Sequence, residues 1–373
     1  MSFRDLAASY WANVYPTHPV ISKEDLEKCW NGMPNDREDA AFVYATAAAC
    51  LQCTPGNEPV RLQRLEAFLT KSTQSLGPIT MRASISAYKI MTCVFLANCL
   101  VATNDAKTAF LYLRHAVSMI ETFRLRSGDG NRTTEDRKLR RLYWLLYVHE
   151  RYQCISEYRT VQLKPLPDDP IDGENDPDGM YLGFIRIVRV FRLMDEAFVA
   201  YWLGESGLPL PTKAWVTGKC VEVYTDERDA SFDECKLSVA QRVDLMVTRH
   251  WLLILVWRIA MSNKLLGDTP SSDCLSLLYP LHVAHRLQSQ MEDVSEGAIG
   301  SHGVGIIQKL FELTDTVADV ALHVPSSLLE ESDERLDRLR HLWEMFSLYS
   351  KLDSTRKSIL DDKLHRISQL WSA

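Results

Sequence analysis

The sequence predicts an all-α protein, built as a multi-helix bundle or an α-solenoid-like array of antiparallel helical hairpins. Apolar residues recur at steps of three and four along most of the chain, which places them on one face of a helix. No run of five or more residues shows the period-two pattern of β-branched side chains that is typical of strands. The composition is that of a folded globular chain, since 46% of the 373 residues are hydrophobic and 24% are charged.

The clearest prediction is a helical hairpin between residues 81 and 123. Residues 81–101 and 106–123 each carry apolar side chains at helical spacing, so each segment has one apolar stripe. Asn104 and Asp105 lie between the two segments and are typical of a turn followed by an N-cap. We therefore expect two antiparallel helices that pack against each other.

Helical spacing continues on both sides of this hairpin, with two interruptions. Further helices are expected at residues 38–53, 60–72, 134–158, 179–204, 236–266, 273–291, 301–323, 332–350 and 355–371. Residues 160–178 are rich in proline and aspartate, and residues 207–233 contain two early prolines and a polar run, so both segments are predicted as exposed loops. Either loop could mark a subdomain boundary, but the flanking helices are equally apolar, so we expect one helical domain over residues 1–373.

Charge and cysteine content argue against several classes of function. The net charge is −7 and the isoelectric point is about 5.8, so direct nucleic-acid binding is not expected, because that requires clustered Lys and Arg. The nine cysteines are odd in number and lie mostly in apolar segments, which predicts reduced thiols. The start of the sequence has no signal-peptide pattern, and the most apolar run is shorter than the ~20 residues that cross a bilayer. We expect no membrane association and a location in the nucleus and cytoplasm.

Residues 140–151 concentrate charged and aromatic side chains on one predicted helix. Trp144, Tyr147 and Arg151 are spaced by three and four, so they share a face on which a guanidinium can stack near Tyr147. Glu150 and Arg151, if buried, need charge partners, because an unpaired buried ion is strongly disfavoured. The partners available on the following helix are Arg186, Arg189, Arg192 and Asp195. We predict a structural contact between helices whose members are Arg140, Arg141, Trp144, Glu150, Arg151 and Asp195.

The same residues resemble the middle homology region of fungal zinc-cluster transcription factors. In that family an Arg-Arg pair, an aromatic-Trp pair and a Glu-Arg pair recur at this spacing. The Trp-Leu-Leu-Tyr variant is similar to the maltose- and starch-type regulators, with the quinate-type regulators close behind. Other elements of the family occur in the same order, at Pro19-Val20-Ile21, Tyr112–Val117, Leu182–Trp202 and Gln241–Trp257. The resemblance covers about residues 15–325.

Two features depart from the family pattern. Thr160 stands after Arg159, where the family usually has proline. The six-cysteine zinc module that normally precedes this region is not found ahead of it in the sequence. We therefore expect a chain of this family that lacks the zinc cluster and does not itself bind DNA.

The resemblance implies an effector-sensing regulatory domain of a transcription regulator. Its expected partner is a small metabolite or a repressor or coactivator protein, and homodimerisation stays open. A ligand between facing helices would be held by a few polar and aromatic groups, for which the candidates are Trp144, Tyr147, Glu150, Arg151, His250 and Trp251. No cofactor is expected. No metal site is expected either, because the CxxC pair of Cys50 and Cys53 lacks a second ligand pair at zinc-site spacing.

Two functions of other classes remain as alternatives. A stand-alone protein derived from this fold could be a secondary-metabolism enzyme of the cyclase or isomerase type, or a non-DNA-binding corepressor. Residues 168–172 spell the aspartate-rich motif of class I terpene cyclases, but the prolines around them break the helix that this magnesium-dependent chemistry requires. The sequence therefore favours a solvated acidic loop, and we assign no catalytic residue.

Overall fold

The structure is a computed structural model that describes residues 2–54, 58–78, 85–123, 125, 133–167, 180–207, 209–230, 236–292, 294, 304–323 and 354–371. Within these ranges the chain forms α-helices, one π-helix and no β-strand. A single isolated bridge joins Gly267 and Ser276. The prediction of an all-α fold is therefore confirmed.

The α-helices are numbered in chain order, and the π-helix follows the first of them. They are α1 (Phe3–Ser9), the π-helix (Tyr10–Val14), α2 (Lys23–Gly32), α3 (Arg37–Cys53), α4 (Glu58–Leu76), α5 (Ala87–Ala102), α6 (Ala106–Glu121), α7 (Thr134–Ser156), α8 (Met180–Arg192), α9 (Glu196–Leu203), α10 (Lys213–Ala230), α11 (Val239–Ser262), α12 (Tyr279–Met291), α13 (Val304–His323) and α14 (Ser354–Trp371).

The contacts within the chain divide it into two compact units. Unit 1 comprises residues 1–192 and 236–241, and unit 2 comprises residues 193–235 and 242–373. Each unit has its own set of buried apolar side chains. The single helical domain expected from the sequence stays a prediction.

Helices α3 and α5 form the centre of unit 1. Both are buried over most of their length, and alanine makes up about half of the buried residues of α3. Short side chains allow close approach of neighbouring helices. Helix α3 packs against α2, α4, α5 and the π-helix, whereas α5 packs against α6 and α7, and α7 packs against α8. This packing brings α6, α7 and α8 into one core.

Short polar side chains set where helices of unit 1 begin. Thr133 and Asp136 form a capping box at the start of α7, which satisfies two otherwise unpaired backbone amides. The Asp105 carboxylate accepts a hydrogen bond from the Thr108 amide at 3.1 Å, and Asn104 has the left-handed φ of 63°. The predicted turn and N-cap between α5 and α6 are confirmed.

Most of α11 forms the core of unit 2. Every residue from Trp251 to Val256 is at most 1% exposed, and further along the unit α12 packs against α13, which packs against α14. Among the described residues α11 is the one helix whose length and apolar composition would suffice to cross a membrane. However, 78% of its most apolar window is buried in protein, which is typical of a core helix.

The loop predicted over residues 207–233 is wrong for most of its length, because α10 occupies it. Thr212 caps this helix, since its Oγ1 accepts a hydrogen bond from a backbone amide of the first turn at 3.1 Å. The polar run that suggested a loop supplies ion pairs instead, as Asp226 and Glu227 each bind an arginine of another helix. Asp226 and Glu227 are half-buried in these ion pairs, whereas Arg228 and Asp229 at the end of the run are exposed.

Other helix predictions differ from the structure in smaller ways. The helix expected over residues 179–204 is two helices, because Asp195 caps α9 and so begins a new helix. The α1–α2 region was not predicted as helical, since its helices are too short for a long apolar repeat. Residues 160–167 have no regular structure, as predicted. The rest of that loop, residues 168–178, and the helix expected at residues 332–350 lie outside the described residues.

Candidate functional site

The Glu150 carboxylate lies at the centre of a buried hydrogen-bond cluster in unit 1. Glu150 is fully buried, and its Oε1 accepts from Arg114 Nη1 at 2.7 Å and from the backbone amide of Gln162 at 2.8 Å. Its Oε2 accepts from the Leu163 amide, also at 2.8 Å. Arg114 also donates to the carbonyl of Thr160. One carboxylate thus attaches the segment after α7 to both α6 and α7.

Arg151 completes this attachment from the other side. Its Nη1 donates to the Leu163 carbonyl at 3.0 Å, and its guanidinium carbon lies 3.5 Å from the centre of the Tyr147 ring. Burial lowers the pKa of Arg151, against the opposing effects of Tyr147 and Glu150. The stacking predicted on this face is confirmed. We call Arg114, Glu150, Arg151 and the main chain of residues 160–163 the latch.

Arg141, the second residue of the Arg-Arg pair on the same helix, binds the beginning of unit 1. Arg141 Nη1 donates to the Pro19 carbonyl at 3.2 Å and to the Tyr181 hydroxyl at 2.9 Å. The same guanidinium lies 4.5 Å from the centre of the Tyr181 ring. Arg140 is buried, and Trp144 is fully buried, with the Arg192 guanidinium 5.6 Å from its ring centre. These contacts join α7 and α8 to the segment before α2.

Two details of the latch differ from the sequence prediction. The ion-pair partner of Glu150 is Arg114 on α6, and not an arginine of α8. Asp195, which was expected among the partners, lies in unit 2, where it accepts from the Phe198 amide at 2.8 Å and from Lys219 Nζ at 2.7 Å. Local spacing cannot reveal a partner that lies 36 residues away along the chain.

The departure at Thr160 leaves the latch intact. Thr160 takes part through its carbonyl oxygen, which accepts from Arg114. That bond does not use the amide hydrogen of residue 160, which proline lacks. Proline at residue 160 would therefore keep this acceptor of the latch.

His250 is buried in α11, within unit 2. Its Nδ1 lies 2.8 Å from the Met246 carbonyl one turn earlier, so Nδ1 carries the proton and Nε2 is an acceptor. Nε2 is buried and has no hydrogen-bond partner among the described residues. Burial lowers the pKa of His250 to about 4, so the ring is neutral at physiological pH.

Charged and phenolic side chains of α10 and α12 contact one another in unit 2. Glu227 accepts from Arg286 at 2.9 Å and from Gln290 at 2.6 Å. Burial opposes its ionised form, but these hydrogen bonds and the Arg286 charge hold the pKa of Glu227 below its ordinary value. Tyr224 lies under the Arg286 guanidinium, 4.6 Å from the ring centre, and its hydroxyl is 2.8 Å from that of Tyr279.

The charges of Glu227 and Arg286 both act on the pKa of His250, which places the three groups within electrostatic range. We call His250, Glu227, Arg286, Tyr224 and Tyr279 the polar cluster. Of these five, the sequence identified His250 alone. Glu227 was missed because its segment was predicted as a loop, whereas it lies on α10.

Trp251 faces a different helix from its neighbour His250. Its Nε1 donates to Glu312 Oε2 at 2.7 Å, and Lys309 Nζ lies 5.8 Å from its ring centre. Lys309 also donates to Thr248 at 2.7 Å and pairs with Asp244 at 3.3 Å. Trp251 therefore anchors α13 to α11, which is a structural role.

The six predicted ligand contacts thus fall into three environments. Trp144, Tyr147, Glu150 and Arg151 come together around the latch, where protein groups already occupy both Glu150 oxygens. Trp251 binds α13, and His250 belongs to the polar cluster. Direct contact of any of them with a ligand stays a prediction.

The described part of the chain contains free thiols and no cluster of cysteine metal ligands. Its eight cysteines are free thiols, and no group of three or more His, Cys, Asp or Glu side chains there could hold a metal ion. Burial raises the pKa of Cys50 to about 12, so the first cysteine of the CxxC pair is a protonated thiol. The aspartate-rich residues 168–172 lie outside the described residues.

Comparison with known proteins finds fungal regulators of sugar metabolism. The chain is 24% identical to the probable sucrose utilization protein SUC1 of Candida albicans, over 97% of this chain and 71% of that protein. It is 24% identical to the maltose fermentation regulatory protein MAL13 of Saccharomyces cerevisiae, over 83% of this chain and 66% of that protein. The respiratory transcription factor ZNF1 of the same yeast is 23% identical over 83% of this chain and 67% of its own length.

No model of a protein family matches the chain. The relatives nevertheless confirm the resemblance to the regulatory region of fungal zinc-cluster transcription factors, and to the maltose-type regulators among them. The latch connects two of the elements that carry this resemblance, because the Arg114–Glu150 ion pair joins residues 112–117 to residues 140–151. The chain matches about two thirds of the length of these relatives.

Proposed function

We propose that this chain is the effector-sensing regulatory region of a fungal transcription regulator of sugar utilisation, acting in the nucleus. The relatives are regulators of maltose and sucrose metabolism, which supports a role in transcription regulation. The acidic composition supports a regulatory rather than a DNA-binding contribution from these residues.

The effector in this proposal is a small, hydroxyl-rich metabolite that binds at the polar cluster of unit 2. The observation that carries this assignment is the buried Nε2 of His250, which has no partner among the described residues. An unsatisfied buried acceptor costs about 1–3 kcal/mol, and a hydroxyl donor from a ligand would recover that free energy. The Glu227 oxygens accept from Arg286 and Gln290, and the hydroxyls of Tyr224 and Tyr279 bind each other, so ligand hydroxyl groups would use the remaining acceptor positions of these oxygens.

Glu150 and Arg151 have a different role in the proposal. Both Glu150 oxygens are occupied by Arg114 and by main-chain amides, so a ligand would have to displace the latch to reach them. We assign Trp144, Tyr147, Glu150 and Arg151 to the architecture of unit 1. A repressor or coactivator protein remains the alternative partner for an exposed helical face.

Calorimetric titration tests the metabolite proposal. Maltose, sucrose and quinate are titrated separately into the full chain, and we expect heat of binding from at least one sugar. His250→Leu should abolish that heat, because it removes the acceptor while keeping an apolar side chain of similar reach. His115→Leu is the matched control, since the Nε2 of His115 in α6 is also buried without a hydrogen bond but lies in unit 1.

Three results would contradict the proposal. Absence of heat for every compound would reject these effectors. Equal binding by the His250→Leu variant and the unaltered chain would move the site away from the polar cluster. Loss of binding in Glu150→Gln with an intact fold would place the ligand at the latch.

A further inference from the structure

Two histidine rings from distant parts of the sequence meet in unit 1. His18 lies in the segment after the π-helix, and His149 lies on α7. Their Nε2 atoms are 3.1 Å apart, and their ring centres are 5.1 Å apart. The side-chain amide of Asn98, on α5, lies 3.3 Å from His18 Nε2. Three separate elements thus bring polar side-chain atoms together, and we call His18, His149 and Asn98 the histidine cluster.

The surrounding structure holds the members of the histidine cluster in place. The backbone amide of His18 donates to the Val14 carbonyl at 3.0 Å, and the His18 ring centre lies 5.8 Å from that of the fully buried Phe95. The other two members lie on helices that pack against each other. Side chains fixed in this way need little rearrangement to bind a ligand. All three are half-buried, so an ion can reach them from solvent.

Thr17 determines which nitrogen of His18 carries the ring proton. The Thr17 hydroxyl has one hydrogen, which it donates to the Val14 carbonyl at 3.1 Å. Its oxygen lies 2.8 Å from His18 Nδ1 and therefore accepts a hydrogen bond from that nitrogen. His18 Nε2 thus presents a lone pair toward His149. Metal-ligating histidines have this arrangement, in which one ring nitrogen donates to an oxygen and the other binds the ion.

The separation of the two Nε2 atoms fits two ligands of one ion. Imidazole nitrogens bind zinc at about 2.0–2.1 Å. For nitrogen atoms 3.1 Å apart, an ion equidistant from both would have a nitrogen–metal–nitrogen angle of about 100°, which lies between the square-planar and tetrahedral values. A half-turn of the Asn98 amide group exchanges its nitrogen and its oxygen. Asn98 can therefore supply an oxygen ligand at the same place.

We propose that the histidine cluster is a binding site for one divalent transition-metal ion of the class that prefers imidazole ligands, such as Zn²⁺. His18 Nε2 and His149 Nε2 bind the ion through their lone pairs, and the side-chain oxygen of Asn98 is the third ligand. His149 then carries its ring proton on Nδ1, and water takes the remaining position on the ion. This site uses no cysteine, and it does not rest on the proposed function.

Binding of an ion at the histidine cluster has a structural consequence. Its ligands come from the segment after the π-helix, from α5 and from α7, so the ion cross-links three elements of unit 1. The unfolded chain does not hold these ligands together. Metal binding should therefore favour the folded state and raise the thermal midpoint.

The test uses the full chain without a polyhistidine tag, first freed of metal with a chelator. Calorimetric titration with Zn²⁺ should show heat of binding for one ion per chain, and Zn²⁺ should raise the thermal midpoint. Co²⁺ is the spectroscopic probe, because thiolate ligands add a strong ultraviolet charge-transfer band that imidazole and amide ligands do not give. We expect visible cobalt absorption without that band.

Variants locate the site. His149→Gln removes one imidazole ligand and should lose most of the heat. His285→Gln is the matched control and should keep it, since His285 is exposed on α12, three residues after His282, a spacing that can also present two imidazoles to one ion. Thr17→Val leaves both rings of the histidine cluster in place and should weaken Zn²⁺ binding about tenfold. Thr17→Ser keeps the hydroxyl and should bind as the unaltered chain does.

Four results would overturn the proposal. Absence of heat in the unaltered chain would leave the two rings as a hydrogen-bonded pair. Equal heat from the unaltered chain and a folded His149→Gln variant would place the ion elsewhere. A thiolate band at one equivalent of Co²⁺ would assign the ion to cysteines. If His149→Gln loses its helical circular dichroism, the Thr17 variants decide, and equal Zn²⁺ affinities of Thr17→Val and Thr17→Ser would reject His18 as a ligand.

Discussion

Replacing Glu150 with glutamine tests the latch most directly. The variant keeps the shape of the side chain but removes its charge and turns one acceptor oxygen into a donor amide. In the native protein Glu150 accepts three hydrogen bonds, one from Arg114 and two from main-chain amides. A glutamine amide group placed at either oxygen position therefore faces at least one hydrogen-bond donor. The variant loses an ion pair and leaves a buried amide unsatisfied.

The expected cost follows from the burial of the two partners. Breaking a fully buried ion pair costs about 3–5 kcal/mol. The Glu150 side chain is fully buried, but that of Arg114 is 20% exposed, so water compensates part of the loss on the arginine side. We therefore expect Glu150→Gln to lower the free energy of unfolding by about 2–4 kcal/mol.

Two measurements check this expectation. Urea unfolding followed by circular dichroism should show an earlier transition for unit 1, and limited proteolysis should cut residues 160–167 sooner in the variant. Glu157→Gln is the matched control, because Glu157 lies at the end of the same helix and is exposed; its cost should stay within about 0.5 kcal/mol. Equal stability of the two variants would refute the structural role of the latch.

Three further predictions concern other parts of the chain. Burial depresses the pKa of His250 to about 4 in the folded chain, whereas in the unfolded chain the ring takes up a proton below the ordinary histidine pKa of 6.5. The free energy of unfolding should therefore fall by about 3 kcal/mol between pH 6.5 and pH 4. His250→Asn should remove this part of the pH dependence in urea titrations, and an unchanged slope of stability against pH would contradict it. Asp195→Ala removes the N-cap of α9 and a partner of Lys219, and should lower the thermal midpoint through a loss of about 1–2 kcal/mol, whereas Asp195→Asn, which keeps a capping oxygen, should recover part of it. Gly183→Ala should destabilise unit 1 by about 1 kcal/mol, because a Cβ at residue 183 would lie 2.5 Å from the side-chain amide of Gln241. That amide donates a hydrogen bond to the Pro16 carbonyl. A more stable variant would show that the Gln241 side chain moves away freely.

Sequence reasoning located long helices reliably because a long apolar repeat is itself the cause of their packing. It predicted the α5–α6 hairpin and its Asp105 cap, and it failed at α10, where charges that form interhelical ion pairs were taken for signs of a loop. Short helices such as α2 escaped notice, since ten residues contain too few repeats to establish a period.

At the candidate site, contacts within one helix were predicted from the sequence, and contacts between different helices were not. Spacing within α7 placed Tyr147 and Arg151 on one face, and the structure confirms their stacking. No spacing within one helix could identify Arg114 as the partner of Glu150. For the same reason His250 was recognised, but Glu227 and Arg286, which belong to two other helices, were not.

The latch binds the segment after α7 almost entirely through main-chain atoms. Two amides, at Gln162 and Leu163, and two carbonyls, at Thr160 and Leu163, provide its contacts. Side-chain identity at residues 160 and 162 can therefore vary among related proteins without loss of these hydrogen bonds, while proline at residue 162 or 163 would remove a donating amide. A related chain that shares little sequence in this segment would still fold it in the same place if it keeps side chains equivalent to Arg114, Glu150 and Arg151.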